Sequence, residues 1–367
     1  MSNTTYSPEV SQRLESYQLP TPLGFGKELA PVMFRADYDN NQWSAGELVP
    51  FANLEINPGA TCVQFGQQCF EGMKAYKVAQ SSPALFRPEV NYKRFIRSAT
   101  RLCMPAPPES LFADALNSVS QAMSPFVPSE SGQSLYLRPT LIGMDQTFAV
   151  TASQRYCFVL IASPSDAYYT QPIKIMIERQ QSRAAKGGTG SEKVGGNYAG
   201  SLQATQRCID AGFDQPLWLD AANHELVEEL SGMNFMAVIG GALHTPKLSG
   251  TILPGITRQS IIALAKSMGI EVFERDIPIN TLQEDITSGK CSELFACGTA
   301  AIISPISELG EADGTRQALP NVDRLASRLR NALLDIQEGR AEDSHQWMVD
   351  SADKDALLAR LTADTSE

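Results

Sequence analysis

Histidine is scarce in this sequence and cysteine is unpatterned. Only His224, His244 and His345 occur in 367 residues, and the seven cysteines show no C-x-x-C spacing. Neither set offers the clustered ligands of a zinc site, and an odd number of scattered thiols does not make a disulfide framework. A reducing, cytoplasmic home fits that usage. Long apolar runs are missing too, so no membrane-spanning helix is expected. The opening residues Met1 to Tyr6 lack the basic and apolar regions of a secretory signal. Positive charge is short: the net charge is −11 and the pI is near 4.9. That balance argues against a nucleic-acid partner and requires any anion site to be a local cluster.

What remains is an ordinary globular composition, 43% hydrophobic and 19% charged. The length exceeds one typical core and predicts two domains. Turn formers gather in Ser163-Pro-Ser-Asp-Ala-Tyr-Tyr-Thr-Gln-Pro172. The expected division is therefore residues 1–163, a connecting loop at 164–172, and residues 173–367.

Residues 1–20 read as a loose arm or short helix. Short strands follow over 32–56, with a hairpin signal at Asp39-Asn40-Asn41. Asn91 reads as the N-cap of a helix over 92–104, with Phe95, Ala99, Leu102 and Cys103 on one face. Arg94, Arg97 and Arg101 then fall elsewhere, either solvated or with one turned inward on an anion. A helix is expected over 109–123. Ser134 to Gly143 alternates as a strand with Tyr136 and Arg138 on one face. Another strand is expected over 155–162. In the second half, strands are expected over 173–178, 216–220, 226–230 and 235–239. Helices are expected over 199–211, from Thr257 to Gly269, and over 322–337. The charged stretch after Asp350 is expected to fray.

The chemistry gathers around Lys193, beside Gly195 and Gly196 in Glu192-Lys-Val-Gly-Gly-Asn-Tyr-Ala-Gly200. A lysine held there in a dry pocket is a nucleophile and makes Schiff bases with carbonyl compounds, pyridoxal phosphate among them. That cofactor also needs a carboxylate for its ring nitrogen, a phosphate cup and a donor for its phenolic oxygen. Glu229 offers the carboxylate. Gly255-Ile256-Thr257, at a helix start, and the turn Gly298-Thr299 offer the cup, and Tyr198 offers the phenol. Each has an ordinary reading taken alone. Lys193 fits a surface loop, Glu229 a solvated strand end, Ile256 and Thr257 a helix cap, Gly298-Thr299 a simple turn, and Tyr198 a core tyrosine.

Six blocks taken in order resemble the class IV, pyridoxal-phosphate-dependent aminotransferases, and among them the branched-chain amino acid aminotransferases. They are Phe70-Glu-Gly-Met-Lys-Ala-Tyr76, Ser134-Leu-Tyr-Leu-Arg-Pro-Thr-Leu-Ile-Gly143, Lys193-Val-Gly-Gly-Asn-Tyr198, Glu229-Leu-Ser-Gly-Met-Asn234, Ile252-Leu-Pro-Gly-Ile-Thr-Arg258 and Phe295-Ala-Cys-Gly-Thr-Ala300. The resemblance covers about residues 20–345. It implies an α/β (α+β) fold of type IV, with a smaller N-terminal domain, a larger C-terminal domain and pyridoxal 5'-phosphate at their interface. It also implies a homodimer handling amino acids and 2-oxo acids. The implied reaction moves the amino group of L-leucine, L-isoleucine or L-valine to 2-oxoglutarate. D-amino acid aminotransferase and aminodeoxychorismate lyase share the fold and stand as the alternatives.

The resemblance makes Lys193 the catalytic amine, with Tyr198 on the phenolic oxygen and Glu229 on the ring nitrogen. Arg94 joins Ile256, Thr257 and Thr299 at the phosphate, and Arg183 lies near the cofactor. Phe25, Phe70, Tyr136 and Ala300 line the apolar side pocket. Arg138 holds the second carboxylate of glutamate. The backbone at Thr299 and Ala300 takes the substrate's own carboxylate, and Phe148 and Val150 reach the partner subunit's site. The sequence departs from the family in three places. Gln64-Phe65 stands where many members have His-Tyr. Ala301-Ile-Ile-Ser304 stands where mammalian forms carry a C-x-x-C redox switch, so no such regulation is expected. Met236 stands where an aromatic is usual.

Overall fold

The computed structural model describes residues 6–78, 82–167, 171–319 and 324–363. The chain divides into two compact units, Met1–Tyr168 with Asp335–Glu367, and Tyr169–Leu334.

The first unit is built on a nine-stranded sheet. Ser134–Gly143 lies near its middle, antiparallel to Tyr156–Ser165 on one side and to Met73–Tyr76 and Gln68–Phe70 on the other. Val32–Asp39 turns back on Gln42–Trp43 through Asn40 and Asn41, both with positive φ (49° and 60°). Such a turn matches the twist of a tight hairpin, and asparagine tolerates it better than most side chains. The helix Pro88–Arg101 has proline in its first turn, where a missing N–H costs nothing. Asn91 is therefore inside this helix, not its cap, and Arg94 is buried rather than on the outer surface.

The C-terminal segment departs from expectation. Met348–Asp350 pairs antiparallel with Ala84–Phe86, completing the edge of the first sheet. The helix Lys354–Thr362 follows, capped by the Asp353 side chain, with Leu357 and Leu361 buried. Those two leucines and the cap hold the charged tail in place of fraying. The segment beyond Leu334 thus belongs to the first unit, which becomes the larger of the two.

The second unit holds another nine-stranded sheet. Val227–Leu230 pairs with both Gln215–Leu219 and Asn234–Ile239. This closes a ring running through Ile173–Glu178, Ile302–Gly310 and Cys291–Gly298. Alternate residues (Ile173, Ile175, Ile177; Phe235, Ala237, Ile239) join one apolar core with Leu282 and Ile286 of the helix Ile279–Thr287. The period of two that sends these inward sends their neighbours to the other face. The helix expected over 199–211 runs Leu202–Asp210, and a separate short helix, Gly195–Ala199, precedes it. The helix Ile256–Ser267 has Gly255 at its N-cap. Ala242–Pro246 and Val272–Arg275 are strands that the periodicity did not reveal. The last helix of this region is described over Arg324–Gln337, and the first residues of its expected span lie outside the described ones.

Candidate active site

In the second unit Lys193 bonds Tyr198 and its charge acts on Glu229. Its Nζ donates to Tyr198 Oη at 2.8 Å, and both side chains are half-buried. Lys193 lies two residues before the short helix that carries Tyr198, which sets this spacing. Asn197 fixes the loop in front of them. Its Nδ2 donates to the Thr189 and Glu192 carbonyls at 2.7 and 2.8 Å, while the Thr189 hydroxyl donates to its Oδ1.

Glu229 lies where the ring of strands closes, directly across from Asn234. It is 4% exposed, so the reading of a solvated strand end does not hold. Asn234 Nδ2 donates to Oε2 at 3.0 Å, and the Leu253 amide donates to Oε1 at 3.1 Å. The Arg183 guanidinium meets Oε1 at 2.6 Å. Burial nevertheless pushes the Glu229 carboxyl up to about 7, only partly countered by Arg183, the Leu253 amide and Lys193. Arg183 also donates to the Gly190 and Thr251 carbonyls. It reads as the arm that holds this acid.

Gly255 is required by close approach: a Cβ there would collide with the Asn234 amide oxygen. The helix that starts at Ile256 has no side-chain cap from Gly255, and Ile256 and Thr257 are buried in its first turn. A helix start of this kind directs amide donors at an anion. Thr299 and Ala300 are half-buried in the turn between Cys291–Gly298 and Ile302–Gly310.

In the first unit a second group assembles. The Arg138 guanidinium lies 4.8 Å from the Phe70 ring centre and 5.2 Å from that of Tyr136, and donates to Tyr136 Oη at 3.2 Å. Phe25 meets Tyr136 edge-on at 5.1 Å. Gly72 has no room for a Cβ beneath the Tyr136 hydroxyl. Arg94 lies in the same unit, ion-paired to the fully buried Glu71 at 2.6 Å. Asn91 Nδ2 and the Gly72 amide also donate to that carboxylate, at 2.6 and 3.0 Å. Phe148 and Val150 stand apart, 84% and 89% exposed.

Sequence reading missed the residues that hold the named ones: Glu71, Asn91, Asn197 and Asn234. Three of the four sit inside the recurring blocks, so the signal was adjacency to an assigned residue.

An amine beside a phenol, a buried acid held by a guanidinium, and an uncapped helix start make a donor set that suits a phosphorylated pyridine aldehyde. The comparisons agree. The sequence matches the amino-transferase class IV family over residues 68–309. The chain belongs to the class IV amino-transferases, which depend on pyridoxal phosphate. It is 42% identical to a probable branched-chain-amino-acid aminotransferase of Staphylococcus aureus, with 89% of this chain and 93% of that protein aligned. It is 40% identical to the branched-chain-amino-acid aminotransferase of Mycolicibacterium smegmatis, over 89% of this chain and 91% of that one. The solved branched-chain amino acid aminotransferase from Escherichia coli superposes with a TM-score of 0.70 at 26% identity, covering 87% of this chain and 98% of that one. Within its class, the chain's place is among the branched-chain-amino-acid aminotransferases.

Proposed function

We propose that this chain moves the amino group of L-leucine, L-isoleucine or L-valine to 2-oxoglutarate, giving the branched-chain 2-oxo acid and L-glutamate. The observation that carries the reaction type is the second-unit constellation, with Lys193 Nζ 2.8 Å from Tyr198 Oη and Glu229 buried against Arg183. The substrate class rests on the named relatives and on the first-unit group, where Phe25, Phe70 and Tyr136 present apolar surface beside the Arg138 cation.

When bound, pyridoxal phosphate supplies an aldehyde that accepts an amino group and a ring that accepts electrons as the substrate's α proton leaves. Lys193 would hold the cofactor, and its Nζ is the general base that would take that α proton. Tyr198 Oη orients Nζ and donates to the cofactor's phenolic oxygen. Glu229 accepts from the ring nitrogen, and Arg183 and Asn234 keep its carboxylate aimed. Amides at Ile256 and Thr257 and the Thr299 hydroxyl would take the phosphate, the group to which the family resemblance also assigns Arg94. The Thr299 and Ala300 backbone takes the substrate carboxylate, Ala300 also borders the side pocket, and Arg138 takes the second carboxylate of 2-oxoglutarate. The two substrates use the site in turn, which gives ping-pong kinetics.

The working form is a homodimer in the cytoplasm. Exposed Phe148 and Val150, with Val63 and Phe65 at 54% and 42% exposure, give apolar surface for a partner. All seven cysteines are free thiols, as a reducing compartment maintains them. The test is formation of L-glutamate from 2-oxoglutarate with each L-branched-chain amino acid and with D-alanine. Activity with the L-series supports the proposal. Activity with D-alanine alone would replace it with the D-amino acid reaction.

A further inference from the structure

Glu228, one residue before Glu229 on the same strand, has no role in the mechanism above. Strand neighbours point to opposite faces, yet Glu228 and Glu229 are both buried, at 5% and 4% exposure. Both feel one cation. In each, burial raises the carboxyl most strongly and the Arg183 charge acts against it. Arg183 meets Glu229 at 2.6 Å and donates to the Thr251 carbonyl, while the Thr251 hydroxyl donates to Glu228 Oε1. Glu228 Oε2 and Arg183 Nε are both buried without a hydrogen-bond partner among the described residues. Arg183 thus bonds one acid directly and is linked to the other through Thr251.

We propose that Glu228 is a positioning residue for the transamination: it is the counter-ion that Arg183 retains when Glu229 serves the cofactor's ring nitrogen, and it thereby keeps that nitrogen protonated. This rests on the reading that Glu229 faces the ring nitrogen. The reason is charge. Two carboxylates and one guanidinium carry a single net negative charge, and a ring N–H⁺ neutralises it. Without the Glu228 charge the same group would be net positive and would expel that proton. The other charges acting here are Asp220 on Glu228 and Lys193 on Glu229, and the buried Cys297 thiol feels Glu229.

Glu228→Gln keeps the shape and removes the charge. In the holoenzyme, the alkaline limb of the pH profile for the L-leucine half-reaction is expected to move to lower pH by about one unit, which is about tenfold at a fixed alkaline pH. The affinity of the apoenzyme for pyridoxal 5'-phosphate above neutral pH is expected to fall alongside, with KM for leucine unchanged. Glu228→Asp, which retains the charge, is expected to restore both toward the parent. A purely structural role would lower the apoenzyme melting temperature and leave the limb in place. An E228Q enzyme with the parent's limb and affinity overturns the proposal. If E228Q does not fold, Thr251→Val carries the test. Loss of the hydroxyl that holds the Glu228 anion shifts the limb the same way, and an unmoved limb overturns the proposal. Glu229→Gln is run alongside. If E228Q is inert while E229Q slows turnover, only the proposal falls; if both are inert, the role of Glu229 falls with it.

Discussion

Glu71 holds Arg94 by two parallel bonds, Oε1 to Nε at 2.6 Å and Oε2 to Nη2 at 2.9 Å, with the carboxylate fully buried. A forked pair of this kind fixes the plane of the guanidinium. Glu71→Gln removes the buried charge that the Arg94 guanidinium is forked against. Breaking one partner of a buried pair costs about 3–5 kcal/mol. The expected outcome is a marked loss of stability in urea titration and weaker binding of pyridoxal 5'-phosphate to the apoenzyme. Unchanged values for both would mean that Glu71 does not set Arg94.

Tyr198→Phe removes the hydroxyl that accepts from Lys193 Nζ at 2.8 Å. Loss of one aimed hydrogen bond costs about 1–2 kcal/mol, so kcat is expected to fall about tenfold while cofactor still binds. Steady-state kinetics with L-leucine at saturating cofactor check this.

Glu229 gives a pH prediction for the apoprotein. Its folded carboxyl is raised from 4.5 to about 7 by burial. The folded state therefore binds the proton more tightly than the unfolded chain, and that stabilisation is complete below about pH 4.5 and lost as pH rises through about 7. The amount at stake is on the order of 3 kcal/mol. Melting temperatures of the parent and Glu229→Gln apoproteins, compared at about pH 5 and about pH 8, are expected to shift in favour of the variant at the higher pH. A gap that does not change with pH contradicts this.

Arg138→Ala separates the two substrates. The cation lies over Phe70 and bonds Tyr136, so its loss is expected to raise KM for 2-oxoglutarate about tenfold or more, as for a lost charge-assisted bond. KM for L-leucine is expected to change far less. Equal effects on both would place Arg138 in general packing.

Much of this was legible from local pattern. Ser134–Gly143 was readable as a strand to its end residues because its alternation is clean. Lys193 and Tyr198 could be paired because five residues of chain tie them together. What escaped depends on contacts distant in sequence. Helix periodicity alone left Arg94, Arg97 and Arg101 either solvated or with one turned inward; the partner that buries Arg94, Glu71, lies 23 residues away. The C-terminal tail looked frayed because two buried leucines in a charged stretch are a weak signal, and its partner strand Ala84–Phe86 lies far upstream. Glu228 and Arg183 were separated from their shared role by 45 residues, which only the closing of the strand ring removes.

Purified holoenzyme mixed with L-leucine and no oxo acid tests the central claim most directly. The absorbance of bound pyridoxal phosphate should disappear in the parent and return on addition of 2-oxoglutarate, and Lys193→Ala should abolish that exchange. A parent enzyme whose cofactor absorbance ignores L-leucine, or a Lys193→Ala variant that cycles at the parent rate, would contradict it.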